Sequence, residues 1–316
     1  MGLSRLPDDL SQKLEKLLEK DPSFYQKFYK DISVRYREKN KEEKSILSLE
    51  EAISYALARL PSTFQVFSYV LKELERLTPY APSSFLDVGC GPAASYWALK
   101  ETYPDLKKID LLEKNKFMNK VLSLLITKPR GTSFILQDAK AYQPQSSYDI
   151  ISFSYCLGEI KNFEKSLEKY WSHTSQSLII TEPGTPEGFQ TILRARSLLL
   201  KLGAFFVAPC GHNAPCPLEK EKKDWCHFSQ RFERENFHKI IKKGYLDYED
   251  EKFSYLIATK DPFLIEENRI LKKPQKDKGY IKFDLCTSEG IYKKTCSKSK
   301  NKDYKSLKRK KWGDVL

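Results

Sequence analysis

Apolar residues recur at helical spacing through the first quarter of the chain, where Leu10, Leu14, Leu17 and Leu18 would share a face. Ser48 followed by Glu51 makes a capping box ahead of a run that ends near Leu60. Pro61 suits the first turn of a further helix whose apolar face is Phe64, Val66, Phe67, Val70, Leu71 and Leu74. Residues 8–78 are therefore expected to be helical, with packing as their role and no chemistry in sight. The pattern changes at Pro82, after which short apolar runs alternate with amphipathic ones. The strands expected are 85–88, 109–112, 133–136, 148–153 and 177–181, with helices at 95–102, 117–126 and 160–171 between them. Such alternation predicts an α/β fold with a doubly wound, mostly parallel sheet. The organisation expected is a helical cap at 1–80, a sheet domain at 81–265 with a cysteine-rich insertion at 209–228, and a basic extension at 266–316.

Ligands of such sheets bind beyond the carboxyl ends of the strands. Three acidic residues fall at expected strand ends on that rim: Asp87, Glu113 and Asp138. The turn holding Gly89 and Gly91 lets a ligand approach the backbone, and the helix after it offers free amides to a carboxylate or phosphate. Glu113 can accept hydrogen bonds from two ribose hydroxyls, Asp138 from an adenine amino group, and Asp87 can hold a cationic amino group, directly or through water. That set suits S-adenosylmethionine. Gly89, Gly91 and Ala94 also touch the dinucleotide fingerprint, but Pro92 and the carboxylate of Asp87 sit badly beside a pyrophosphate.

The stretch PCGHNAPCPLEKEKKDWCHF, residues 209–228, reads differently from everything around it. Pro209, Pro215 and Pro217 exclude an ordinary helix or central strand, and few large apolar side chains are near to form a core. Thiolate–metal bonds from Cys210, Cys216 and Cys226 would supply the missing folding energy. The gaps of five and nine residues match neither zinc-finger pairs nor ferredoxin runs, so spacing leaves zinc and iron–sulfur both open. The candidates for a fourth ligand are His212, His227, Cys286 and Cys296.

Charge adds a partner. The net charge is +13, and from Arg269 to Leu316 there are 16 Lys plus Arg against 5 Asp plus Glu, so the excess is concentrated at the C-terminal end. A block of this kind predicts a polyanion partner, nucleic acid above all. Lys293, Lys294, Lys298, Lys300, Lys302, Lys305, Lys308, Arg309, Lys310 and Lys311 alternate with Tyr292, Tyr304 and Trp312, which can stack on unpaired bases. Seven irregularly spaced cysteines do not resemble a secreted disulfide framework, no apolar h-region opens the chain, and no run approaches a membrane span. The expectation is a cytoplasmic protein in a reducing compartment, without a membrane partner.

Several segments taken together, LDVGCGP, IITEPGTPEGF, PCGHNAPCPL, DWCHFSQR, KFSYLIATK, LCTSEG and KWGD, resemble the methyltransferase-like proteins associated with the small ribosomal subunit, known in mitochondria and bacteria. The resemblance runs from about residue 45 to the end. It implies a class I methyltransferase fold, an iron–sulfur site, and a role in assembling the small subunit around its ribosomal RNA, as a monomer off the ribosome. It also implies that Cys210, Cys216, Cys226 and Cys286 hold a 4Fe–4S cluster, which leaves Cys296 as a spare thiol and ties the basic segment to the sheet domain. One departure is Ala93 with Ala94, where the family usually has glycine after the proline of the first motif.

Two functions follow. One is an assembly and translation factor that uses an enzyme's fold to bind RNA; the other is a working methyltransferase acting on ribosomal RNA. No Asn/Asp-Pro-Pro-aromatic motif for amino methylation occurs, and Glu159 and Glu182 are the acid–base candidates, without an evident catalytic partner. The catalytic residues are accordingly left unassigned.

Overall fold

The computed structural model describes residues 5–18, 21–37, 46–127, 129–221, 223–265 and 267–316. Residues 19–20 and 38–45 of the expected helical region, and the first four residues of the chain, lie outside the described ones. Three helices open the chain, α1 (Asp8–Leu18), α2 (Pro22–Arg37) and α3 (Leu49–Leu77). Ser48 caps α3 by accepting from the Glu51 amide at 3.1 Å, and the Glu51 carboxylate reaches back to the Leu47 amide at 2.9 Å. The helix does not end at Leu60. It runs through Pro61 as one rod, because residues on both sides of the proline are buried against the same surface and packing outweighs the lost backbone bond.

The alternating part follows as β1 (Ser84–Val88), α4 (Ala94–Thr102), β2 (Lys108–Glu113), α5 (Lys116–Leu125), β3 (Thr132–Leu136), β4 (Tyr148–Ser154), α6 (Glu164–Ser172), β5 (Thr174–Pro183) and α7 (Pro186–Lys201). It is completed by β6 (Phe205–Ala208), β7 (Phe228–Glu233), α8 (Asn236–Lys242) and β8 (Tyr248–Thr259). The strand order is β3-β2-β1-β4-β5-β8-β6, with β1 to β5 parallel and β8 antiparallel to its neighbours. This is the class I methyltransferase-like sheet. Its strands are apolar on both faces: Phe85, Ile109, Ile150, Ile179 and Ile257 face a core shared with α3, α4 and α5, whereas Leu86, Leu112, Ile151, Ile180 and Leu256 face α6 and α7.

One edge of β8 is shared. β6 pairs with its residues 257–259 and β7 with residues 248–253, so residues 209–227 leave the sheet where one partner stops and the next begins. Beyond β8 the basic segment folds into a second sheet of β9 (Arg269–Ile270), β10 (Gln275–Asp277), β11 (Tyr280–Thr287) and β12 (Gly290–Ser297), with a single turn of helix, α9 (Tyr304–Leu307). Its small core is Ile270, Ile281, Phe283, Leu285, Cys296 and Leu307. The chain end returns to β9, with the Ile270 amide donating to Asp314 O at 2.9 Å and the Gly313 amide to Ile270 O at 3.0 Å. No helix among the described residues is long and apolar enough to cross a membrane.

Arg269 locks the two sheets together. Only 4% exposed, its guanidinium donates to Pro209 O at 3.0 Å and to Gly313 O at 2.8 Å, and it pairs with Glu73 of α3 at 2.8 Å. Replacing it with alanine would strand the Glu73 carboxylate and two carbonyls, at a cost of about 3 kcal/mol. We expect urea denaturation of Arg269→Ala to show that loss and limited proteolysis to cut first beyond residue 260; unchanged stability would remove the clamp from the account.

Candidate functional site

Two sites emerge, a cleft at the carboxyl rim of the first sheet and a thiol centre at its far edge. The cleft, about 270 Å³, is lined by Gly89, Gly91, Glu113 and Asp138, as read from the sequence. Gly89 and Gly91 take φ of +70° and +52°, and Ala93 follows at +63° as the left-handed residue before α4. A Cβ on Gly89 would lie 2.8 Å from Cys156 Cβ, so glycine is needed there for space as well as conformation. The Glu113 carboxylate accepts from the Gly91 amide at 3.0 Å and from the Asn115 amide at 2.7 Å, which holds the turn against the second strand, and burial raises its pKa. Asp138 is exposed, with one oxygen taken by the Lys140 amide at 2.8 Å.

Asp87 stands apart. It is fully buried behind the turn, bonded by the hydroxyl of Ser152 at 2.6 Å and by that of Ser95, and burial pushes its pKa up to about 6. Its contacts are with the scaffold, so it shapes the turn from behind. Residues the sequence reading did not mark complete the lining: Tyr55 and Thr63 of α3, then Tyr155 and Cys156 after β4. The helical cap thus contributes to the cleft. Tyr155 has φ of +57°, costly for an aromatic residue, a strain found most often at functional positions. Polar residues on the buried stripe of α3 were the available signal.

Of the acid–base candidates, Glu159 lines the cleft. Glu182 is buried beneath it and accepts from the Gly158 amide at 3.0 Å, so it supports the Leu157–Glu159 turn; burial raises its pKa to about 8.

At the other site, Cys210, Cys216, Cys226 and Cys286 line a single apolar cavity with Phe189, Leu193 and Arg196. Cys286 arrives from β11 of the second sheet, 60 residues after Cys226. The sulfurs of Cys210 and Cys286 and one ring nitrogen of His212 lie within 4.8 Å of one another, and His212 Nε2 is 3.8 Å from Cys286 Sγ. Cys216 and Cys226 flank this group more widely. Burial and Arg196 lower the His212 pKa, keeping the ring neutral, as a metal ligand must be. The shared hydrogen bond between Cys210 and Cys286 makes Cys210 the more acidic thiol, with Arg196 and Arg269 adding to the effect. Arg196 donates to His212 O at 2.9 Å and Ala214 O at 2.7 Å, while its Nε is buried without a hydrogen-bond partner, as is His212 Nδ1. Soft donors, neutral imidazole and nearby fixed cations fit a thiolate-bound metal group.

The other candidate ligands are elsewhere. His227 stacks on Trp225 at 4.9 Å and meets the edge of Trp312 at 4.7 Å, and Cys296 sits in the core of the second sheet. Trp312 is therefore engaged in packing and Tyr304 leans on that same core, which corrects the expectation that both are free to stack on bases; Tyr292 remains exposed.

The family described as "Mitochondrial small ribosomal subunit Rsm22" matches residues 49–316. The chain belongs to the Rsm22 family. Among curated relatives, the Schizosaccharomyces pombe "Rsm22-cox11 tandem protein 2, mitochondrial" is 26% identical over 286 residues, covering 73% of this chain and 38% of that protein. Human "Ribosome assembly protein METTL17, mitochondrial" is 23% identical over 303 residues, covering 85% of this chain and 64% of that protein. This Rsm22-family chain thus spans less than two thirds of either relative's length. Among solved structures, magnesium protoporphyrin IX methyltransferase from Synechocystis aligns at 11% identity and a TM-score of 0.40, over 72% of this chain and 90% of that one. The curated relatives are mitochondrial proteins, which overturns the expected cytoplasmic location and points to a mitochondrial one. The lack of a visible leader could not have revealed this, because composition reports a reducing interior without naming the compartment.

Two outcomes test the cleft. Gly89→Ala forces both a left-handed alanine and a clash with Cys156, and is expected to cost at least about 1 kcal/mol in urea denaturation. Glu182 has a folded-state pKa near about 8 against an ordinary 4.5, so the folded protein keeps a proton that the unfolded chain releases, and stability declines as pH rises between those values. Glu182→Gln keeps an acceptor for Gly158 and is expected to gain on wild type progressively from pH 5 to 8; a constant difference would mean that Glu182 does not titrate there.

Proposed function

We propose that this chain is an assembly factor for the small ribosomal subunit that holds a 4Fe–4S cluster on Cys210, Cys216, Cys226 and Cys286 and binds ribosomal RNA through its basic C-terminal segment. The observation that carries the reading is the convergence of four cysteines, from a loop at the edge of one sheet and a strand of another, on one cavity beside Arg196. A cluster supplies a covalent cross-link between those sheets and sensitivity to oxidation. The names of the relatives, ribosome assembly protein and Rsm22, support the partner. Gly89, Gly91, Glu113 and Asp138 are the residues that would cradle S-adenosylmethionine, with Asp87 holding the turn from behind. The chain acts as a monomer off the ribosome, and binding rather than methyl transfer is its contribution.

The test is to purify the protein without oxygen and count iron, sulfide and zinc per chain in wild type, Cys216→Ser and Cys286→Ser. About four irons with matching sulfide, lost in both variants, is the expected result. Cys286→Ser should in addition expose residues 266–316 to protease. A single zinc held by Cys210, His212 and Cys286 would replace the cluster with a mononuclear site, and metal-free protein would overturn the centre altogether.

A further inference from the structure

We propose that the outer strand of the second sheet, β12, is a stacking platform for unpaired bases, with Tyr292 as the stacking ring and Lys293 and Lys294 as phosphate contacts. The proposal rests on the RNA-binding reading above and assigns it a place and a substrate class, single-stranded rather than duplex RNA.

β12 pairs only with β11, so its other edge is open, and Ile291 to Thr295 are all exposed. Tyr292 is 59% exposed, and among the described residues no ring, hydroxyl or carboxylate engages it. Lysines alone on an edge strand have a simpler explanation, since they prevent edge-to-edge aggregation. An exposed tyrosine beside an exposed isoleucine works against that purpose, so protection of the edge does not account for the pattern.

Register places the groups usefully. Tyr292 lies opposite Leu285 and Lys294 opposite Phe283, so ring and ammonium share one side of the strand two residues apart, about 7 Å. Lys293 points to the other side, opposite Asp284. Among the described residues none of Lys293, Lys294, Lys298, Lys300, Lys305 or Lys308 is held in an ion pair, whereas Arg269 and Lys272 are paired to Glu73 and Asp224. The free cations therefore surround the one free ring of the segment. Stacking on an aromatic face does not distinguish among bases, and flanking cations hold the backbone, which is the combination single strands require. In a duplex the base faces are already stacked and closed to the ring.

The test uses the full-length, metal-loaded chain with fluorescein-labelled polyuridine and an adenosine–uridine duplex, by anisotropy across a salt series. Tyr292→Ala is expected to weaken polyuridine binding roughly tenfold with an unchanged salt slope and little effect on the duplex, and Tyr292→Phe to bind as wild type. Lys293→Gln with Lys294→Gln should lower the salt slope by about one. Because these side chains are exposed, thermal melting should match wild type. If wild type binds polyuridine with the expected salt dependence and Tyr292→Ala is indistinguishable from it, the platform is wrong and the RNA reading stands. If wild type shows no salt-dependent RNA binding, or polyglutamate competes as well as RNA, the RNA reading fails first. Preference for duplex would overturn the platform as well.

Discussion

A buried guanidinium has no water to fall back on, and that constraint organises this molecule around Arg269. Its charge is satisfied by a carboxylate from the third helix, a carbonyl at the start of the cysteine loop and a carbonyl at the returning chain end. Each of those three belongs to a separate segment, so the arginine can be satisfied only when all of them are in place. The desolvation penalty of a single unpaired ion is several kcal/mol, which makes the arrangement cooperative. Gly313 is part of the same junction: its carbonyl accepts from Arg269, and a Cβ there would come within 3.1 Å of the Phe228 ring.

The position of the thiol centre follows from how β8 divides its edge. Because β6 and β7 take successive halves of that edge, the chain between them must leave the sheet and return, and it carries three cysteines as it does so. Arg196 fixes the first part of the excursion through two carbonyls, the Ser254 hydroxyl bonds to Cys226 O at 2.7 Å, and Trp225 donates to Gly184 O at 3.0 Å. Gly184 lies two residues from Glu182, which supports the turn at the cofactor cleft. The two sites are thus held by one continuous set of hydrogen bonds, while each keeps its own donors: backbone amides and carboxylates at the cleft, thiols and fixed cations at the loop.

Much of this was legible without coordinates, and the exceptions are informative. Strands β1 to β5 fall within a few residues of their expected places because a parallel strand buried on both faces is a local apolar run bounded by turns. Gly89, Gly91, Glu113 and Asp138 were recognisable because they terminate such runs on one rim. Pro61 misled because its local preference to start a helix was overridden by burial on both sides of it. Tyr304 and Trp312 misled because alternation with lysine was taken for exposure, whereas both are engaged in packing. The strands β6 to β12 were not anticipated, since β8 and its partners are antiparallel and their register depends on segments far apart in the chain.

What the sequence by itself determined is therefore whatever depends on neighbours along the chain: the helical cap, the parallel strands, the glycine turn, the proline-rich loop that cannot be regular, and the concentration of charge at one end. Tertiary structure alone decided which groups meet across long separations. It brought Cys286 to Cys210 and His212, sent His227 and Cys296 into packing, turned Asp87 away from the cleft, and left Tyr292 bare. The physical reason is that a side chain's residue type sets what it can bind, but its burial and partners are properties of surfaces that exist only after the sheets have packed.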